Sequence, residues 1–293
     1  MKKERAALLQ MLLCTLLWST SGLLVKLVPW NALVIAGCRS ILTGIVMGLY
    51  MRARRMRLVR SRQSFAIAVA LMATYITYLP AIKLTTAANA IVLEYTAPIY
   101  VLVFSAIFRR QPMRRGDVLA VLLTIAGVAL CFVDQIGGGS LMGNLLGLAS
   151  GVFFGAMFTL SGGADEETRM SGMLLSQIMM GLLCAPLAFA YDTPVTATNI
   201  LFIVLLGVVQ LGIPNILYSL SVRYVSPLTC SLIASIQPLI NPIWVYLAVG
   251  ERPGKYAFIG GAVVLVTITL WYAWDARSRH RIEIAAQAES PAS

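Results

Sequence analysis

"NAIVLEYTAPIYV", residues 89–101, sets a carboxylate, Glu94, and a proline, Pro98, inside an apolar run that extends from about 87 to 108. On a soluble helix Glu94 would mark a solvated face. Here no face carries the polar residues that water demands, so the run reads as a membrane span with an ionisable group inside it. Shifting the chain by 140 positions lays this stretch on a second one, "VSPLTCSLIASIQPLINPIWVYLAVGERP" (225–253), with Pro98 on Pro238. One such run suggests a membrane helix, and two in register suggest a repeated unit.

The composition agrees. The chain has 293 residues, 59% hydrophobic and 12% charged, with mean hydropathy +0.82. Soluble domains carry roughly 25% charged residues. Apolar stretches long enough to cross a bilayer run approximately 7–26, 32–51, 65–83, 87–108, 116–133, 142–161, 171–190, 199–222, 227–248 and 255–274. The expected fold is therefore all-α integral membrane with ten transmembrane helices, and little chain is left for a soluble catalytic domain.

The net charge of +11 follows the membrane rather than a nucleic acid. With the N-terminus inside, 18 Lys and Arg fall on the inner side, among them the arginines at 52–62 and 109–115. Four, Lys26, Lys83, Arg252 and Lys255, fall outside, and Arg39 lies within a span. This bias predicts a multi-pass protein of the cytoplasmic (inner) membrane with both termini cytoplasmic. "MKKERAALLQMLLCTLLWS" is read as the first helix, not a cleaved leader. Cys14, Cys38, Cys131, Cys184 and Cys230 all lie in spans without a C-x-x-C pair, and read as small apolar residues. Residues 276–293 are small and polar, and read as a disordered cytoplasmic tail.

The shift of 140 also aligns Tyr78 with Tyr218, Lys83 with Arg223, Gln111 with Glu251 and Arg115 with Lys255, without a gap. Two units follow, 1–135 and 140–275, each of five helices. Five is odd, so the second copy enters the membrane from the opposite side. Inverted repeats of this kind build many secondary transporters, whose substrate sites lie near the midplane at the repeat interface. The pattern resembles the drug/metabolite transporter superfamily, in particular its EamA-type members with ten helices in two five-helix repeats. "LLWSTSGLLVK" (16–26), Arg39 in "AGCRSILT" and the two repeat cores quoted above carry the resemblance, with Gln111 where the first copy would usually have Glu. It implies transport of small metabolites, mostly export, and leaves the substrate open.

Glu94 is the acidic residue well inside a span. A buried carboxylate must protonate, pair or face water, so it is the candidate for proton coupling and substrate binding, with an ion pair to Arg39 as the structural alternative. Tyr75, Tyr78, Trp18, Asn215, Tyr218, Gln237 and Trp244 are the further candidates for the substrate site, as mid-span polar and aromatic residues. Trp30, Trp271 and Trp274 near span ends read as an interfacial belt. Pro98 and Pro238 are expected to kink equivalent helices beside a cavity. Gly143, Gly147, Gly151 and Gly155 recur every four residues and predict a helix face for close packing. Arg39, Gly147 and Gly151 are assigned structural or gating roles.

An enzyme is not expected. The sole histidine, His280, lies on the tail, Asp117 and Asp134 stand at opposite ends of one span, and "GERPGK" (250–255) is too short for a phosphate loop. No cofactor and no metal is expected; the partners are the lipid bilayer and a small-molecule substrate. A carboxylate among aromatic rings suits a small organic cation such as choline. Amino acids or other zwitterionic or neutral metabolites are the alternative, and a non-transporting scaffold or lipid scramblase is the reading of another class.

Overall fold

The computed structural model describes residues 2–85, 87–131, 133, 140–249 and 255–289. Every regular element among them is helical: α1 Lys2–Trp18, α2 Ser21–Leu27, α3 Ala32–Ala53, α4 Arg62–Leu84, α5 Ala87–Glu94, α6 Ala97–Phe108, α7 Arg115–Cys131, α8 Leu141–Gly162, α9 Glu166–Cys184, α10 Ala197–Val204, α11 Ile213–Ser221, α12 Pro227–Ala234, α13 Gln237–Val249 and α14 Lys255–Glu289. A 3₁₀ turn, Ala185–Phe189, extends α9, and a π-helical segment, Leu205–Gly212, joins α10 to α11.

Side-chain caps set many of the entries. Asn31, Ser61, Ser140, Asp165, Thr196 and Ser226 each accept a backbone N–H from the first turn that follows. Large apolar side chains such as Leu9, Ile45, Leu119, Leu182 and Leu270 stay exposed on α1, α3, α7, α9 and α14. On a chain this apolar they form the surface that lipid covers.

Eight helical stretches among the described residues are long and apolar enough to cross a bilayer. Two of the ten expected spans are not among them. The fifth is α7, 17 residues long. Of the ninth, split into α12 and α13, the shorter apolar stretch Pro227–Ile240 is found among the described residues. The region 276–289, expected to be disordered, continues α14 as helix; its Ala, Arg and Glu are strong helix formers. Asp134 and most of the "GERPGK" stretch lie outside the described residues.

Three apolar runs break partway, at Ser19–Thr20, Tyr95–Thr96 and Ser235–Ile236. The last two breaks are 140 residues apart. Pro98 and Pro238 therefore do not kink continuous helices. Each sits second in a new helix, α6 or α13, where its missing N–H costs no bond. Hydroxyls take up carbonyls near the breaks: Ser19 Oγ donates to the Leu16 oxygen at 2.6 Å, Thr96 Oγ1 to that of Leu93 at 2.6 Å and Ser235 Oγ to that of Ser231 at 3.1 Å. Without water in the bilayer, such bonds make a break tolerable.

Helix α8 packs against α4, α5 and α6, while α1 packs against α11, α12 and α13. Helix α3 packs against α9, and α7 against α14. The glycine face of α8 carries the first set. A Cβ on Gly143 would stand 2.7 Å from backbone atoms of Leu84 and Thr85, and one on Gly155 2.8 Å from the Ala97 oxygen. Trp271, expected at the interface, is buried and donates Nε1 to Asp117 at 2.9 Å, linking α14 to α7. Trp274 remains partly exposed, with Arg114 5.8 Å from its ring centre. Trp30 donates to the Pro194 oxygen at 3.0 Å.

Candidate functional site

The break between α1 and α2 is the hub. Its Trp18 carbonyl accepts Nε2 of Gln210 and Nε2 of Gln237, both at 3.4 Å. One residue on, Ser19 Oγ accepts Nε1 of Trp244 at 2.8 Å. The first span is thus tied to the π-helical segment and to α13. Gln237 and Trp244, named from sequence, belong to this hub. Gln210 was not named, and the π-helical segment explains why it matters. Pro214 has no N–H to close the turn onto Gln210, and upstream the helix widens to i→i+5 spacing. Thr43 Oγ1 donates to the Gly207 carbonyl in that widened stretch at 2.8 Å.

Arg39 is buried, at 7% exposure. It makes no salt bridge among the described residues, so the ion pair with Glu94, the structural alternative, is not formed. Its Nη1 donates to Gln210 Oε1 at 3.4 Å, its guanidinium lies 5.5 Å from the centre of the Tyr75 ring, and its Nε has no hydrogen-bond partner. The reason is placement. Arg39 on α3 faces the π-helical segment, whereas Glu94 closes α5 just before its break.

Glu94 is buried, at 9% exposure, with no salt-bridge partner among the described residues. Tyr75 and Tyr78 on α4 interact electrostatically with both Glu94 and Arg39, and Tyr95 with Glu94. The two opposite charges are therefore neighbours of the same two tyrosines without meeting. Gly151 supports this corner from α8: a Cβ there would lie 3.1 Å from the Glu94 carbonyl oxygen. Gly147 backs it one turn away, with its Cβ position 3.2 Å from Leu93 Cβ.

Tyr218 and Asn215 belong to a different environment. Tyr218 is fully buried, its ring 6.1 Å from Trp18 and 5.4 Å from Phe158, and among the described residues its hydroxyl, beside Ser161, makes no well-formed hydrogen bond. Asn215 Nδ2 reaches Met47 Sδ at 3.9 Å and its Oδ1 is unpaired. Met11, Met47, Met157, Met170 and Met173 fill the same core, as methionine does in irregular spaces. Trp18 belongs to this core and the partly buried Tyr75 packs against it, so Tyr218 lies in the core that Tyr75 borders.

Arg169, one of the 18 Lys and Arg that the charge bias places on the inner side, is 1% exposed. Its Nη1 donates to the carbonyls of Ser161 and Ala164 at 2.9 and 2.8 Å, and its Nε to that of Ser219 at 3.0 Å. It clasps the end of α8 to α11. A cavity of about 360 Å³ opens beside it, lined also by Asp165, Glu166 and Arg223. That cavity is separate from the Glu94 region, and Arg169 is committed to carbonyls.

Gln177 was also missed. It is 0% exposed on α9, and among the described residues neither Nε2 nor Oε1 makes a well-formed hydrogen bond, the Tyr75 hydroxyl being the polar group beside it. A lone Gln in the apolar stretch "MLLSQIMM" (173–180) is the signal that could have found it.

The model of the EamA-like transporter family matches residues 5–133 and 141–273. A protein from Archaeoglobus fulgidus, named as an uncharacterized transporter, is 28% identical over 213 residues, 73% of this chain and 76% of that one. A solved crystal structure superposes with TM-score 0.77 over 98% of this chain and 99% of its own, at 18% identity, a likeness of fold.

Proposed function

The chain belongs to the EamA-like transporter family, a multi-pass membrane family, and from that premise we propose a secondary active transporter that moves a small metabolite across the cytoplasmic membrane by alternating access. In this reading ten spans form two inverted five-helix repeats with both termini cytoplasmic. The observation that carries it is the pair of helix breaks at Tyr95–Thr96 and Ser235–Ile236, each followed by proline two residues later. The packing supports it too. Exchanging the halves turns α8 on α4, α5 and α6 into α1 on α11, α12 and α13, and returns α3–α9 and α7–α14 to themselves. The two family matches cover the same halves. Broken helices at a repeat interface are where transporter sites form.

The substrate site is assigned to Glu94 with Tyr75, Tyr78 and Trp18 around it. Glu94 has no salt-bridge partner among the described residues, so it serves as an exchangeable proton carrier and as the attraction for an ammonium group. Aromatic faces add about 0.5–2 kcal/mol per ring to such a group. Vesicles carrying the overproduced protein and energised by a pH gradient test this. Labelled choline, betaine or amino acids should accumulate in the direction the gradient sets, and a protonophore should collapse the accumulation. Equal levels with and without the protein, for every solute tried, speak against the proposal.

A further inference from the structure

We propose that Arg39 and Gln177 form a subsite for the carboxylate of the transported solute, so that the ligand is a small zwitterion with its ammonium group toward Glu94. This rests on the transport reading above.

Arg39 is a buried cation with no salt bridge among the described residues, and its Nε is unbonded. A guanidinium offers five N–H donors in a planar fork that matches a carboxylate. The one hydrogen bond described for that fork, to Gln210, is long at 3.4 Å. Burying a charge this way is costly, and unlike Arg169, which three backbone carbonyls hold, Arg39 leaves its Nε unbonded among the described residues. Gln177 presents the same anomaly, an entirely buried amide with neither polar atom in a well-formed hydrogen bond among the described residues. The two belong to one neighbourhood. Helix α9 packs on both α3 and α4. The Tyr75 hydroxyl faces Gln177 without reaching hydrogen-bond geometry, while its ring underlies Arg39. One carboxylate could accept from Arg39 Nε and from Gln177 Nε2, which leaves Gln177 Oε1 to the Tyr75 hydroxyl beside it. Tyr75 and Tyr78 are influenced by both Arg39 and Glu94, and a zwitterion lying along them would turn its carboxylate to Arg39 and its ammonium to Glu94.

Matched pairs isolate the carboxylate: betaine against choline, leucine against 3-methylbutylamine, phenylalanine against phenethylamine. Affinities are measured by titration calorimetry on the purified protein. In at least one pair the acid should bind roughly tenfold tighter than its partner. Arg39→Gln should bring that ratio to about one, and Gln177→Leu should lower it. The ligand-free melting temperature of Arg39→Gln should hold or rise, because an unpaired buried charge is removed. Equal affinities within every pair, no binding by any acid, stabilisation by chloride alone to the same extent, or a steep loss of ligand-free stability in Arg39→Gln would each overturn the subsite. Solute uptake separates the two readings. If the acids bind and nothing crosses, transport falls and the subsite stands. If the amines cross and a carboxylate adds nothing, the subsite falls and transport stands.

Discussion

Gly151 of α8 lies directly against the broken fourth span: a Cβ at this position would stand 2.7 Å from the carbonyl oxygen of Leu93 and 2.8 Å from Thr96 Oγ1. Backbone cannot move aside as a flexible side chain can. The α8 glycine face is therefore what lets a continuous helix back a discontinuous one.

Gly151→Val is expected to destabilise by about 1–3 kcal/mol through overpacking and to impair transport, because it pushes on the break beside Glu94. Gly48 on α3 has nothing within 4 Å of its Cβ position, so Gly48→Ala should be neutral or stabilising by up to about 1 kcal/mol. Melting temperatures of the two variants check this. Equal shifts for both would mean that the close approach has no energetic weight.

The sequence made some of this legible and hid the rest for physical reasons. The α8 face showed because glycine at every fourth position has few other uses in a membrane helix. The paired breaks were half visible: Pro98 and Pro238 marked the positions, but whether proline kinks a helix or opens a new one depends on hydroxyls such as Thr96 taking up freed carbonyls. The Arg39 environment was not legible. Pairing it with Glu94 follows charge alone, whereas the π-helical segment turns Gln210 toward it. Arg169 counted only among the inner-side charges, and only the fold brings the carbonyls of Ser161, Ala164 and Ser219 around it.

Glu94→Gln preserves volume and removes the ionisable proton. With no salt bridge to Arg39 to lose, its melting temperature should stay near that of the parent, while pH-driven accumulation disappears. A well-folded variant whose uptake keeps the parent's dependence on the pH gradient would end the coupling assignment.

Asp165 caps α9, accepting the Thr168 hydroxyl at 2.6 Å and the Thr168 N–H at 2.8 Å. Those bonds, the hydroxyl first, hold its carboxyl below the usual range. A depressed folded value means that the contribution is complete above the unfolded carboxylate pKa of about 4 and fades as pH falls through the folded one. Asp165→Ala should cost about 0.5–2 kcal/mol near neutral pH, with a deficit that shrinks below about pH 4. Asp165→Asn should keep most of the cap. Melting curves against pH decide; a deficit constant down to about pH 3 contradicts the charge contribution.

The charge bias predicts that reporter fusions at Ser293 report cytoplasm and fusions in the loop at Asp192 report the opposite face. A C-terminus outside the cytoplasm would remove the five-helix inversion along with the topology.

The most direct test uses purified protein in liposomes that also contain a fluorescent lipid in both leaflets. Solute and lipid movement are then read from the same vesicles. The transporter account predicts that an imposed pH gradient drives uptake of at least one labelled ammonium-bearing solute, that Glu94→Gln abolishes the drive, and that the inner-leaflet lipid stays protected from an external quencher. Rapid quenching of all the lipid with no gradient-driven uptake of any solute would contradict it and identify a scramblase instead.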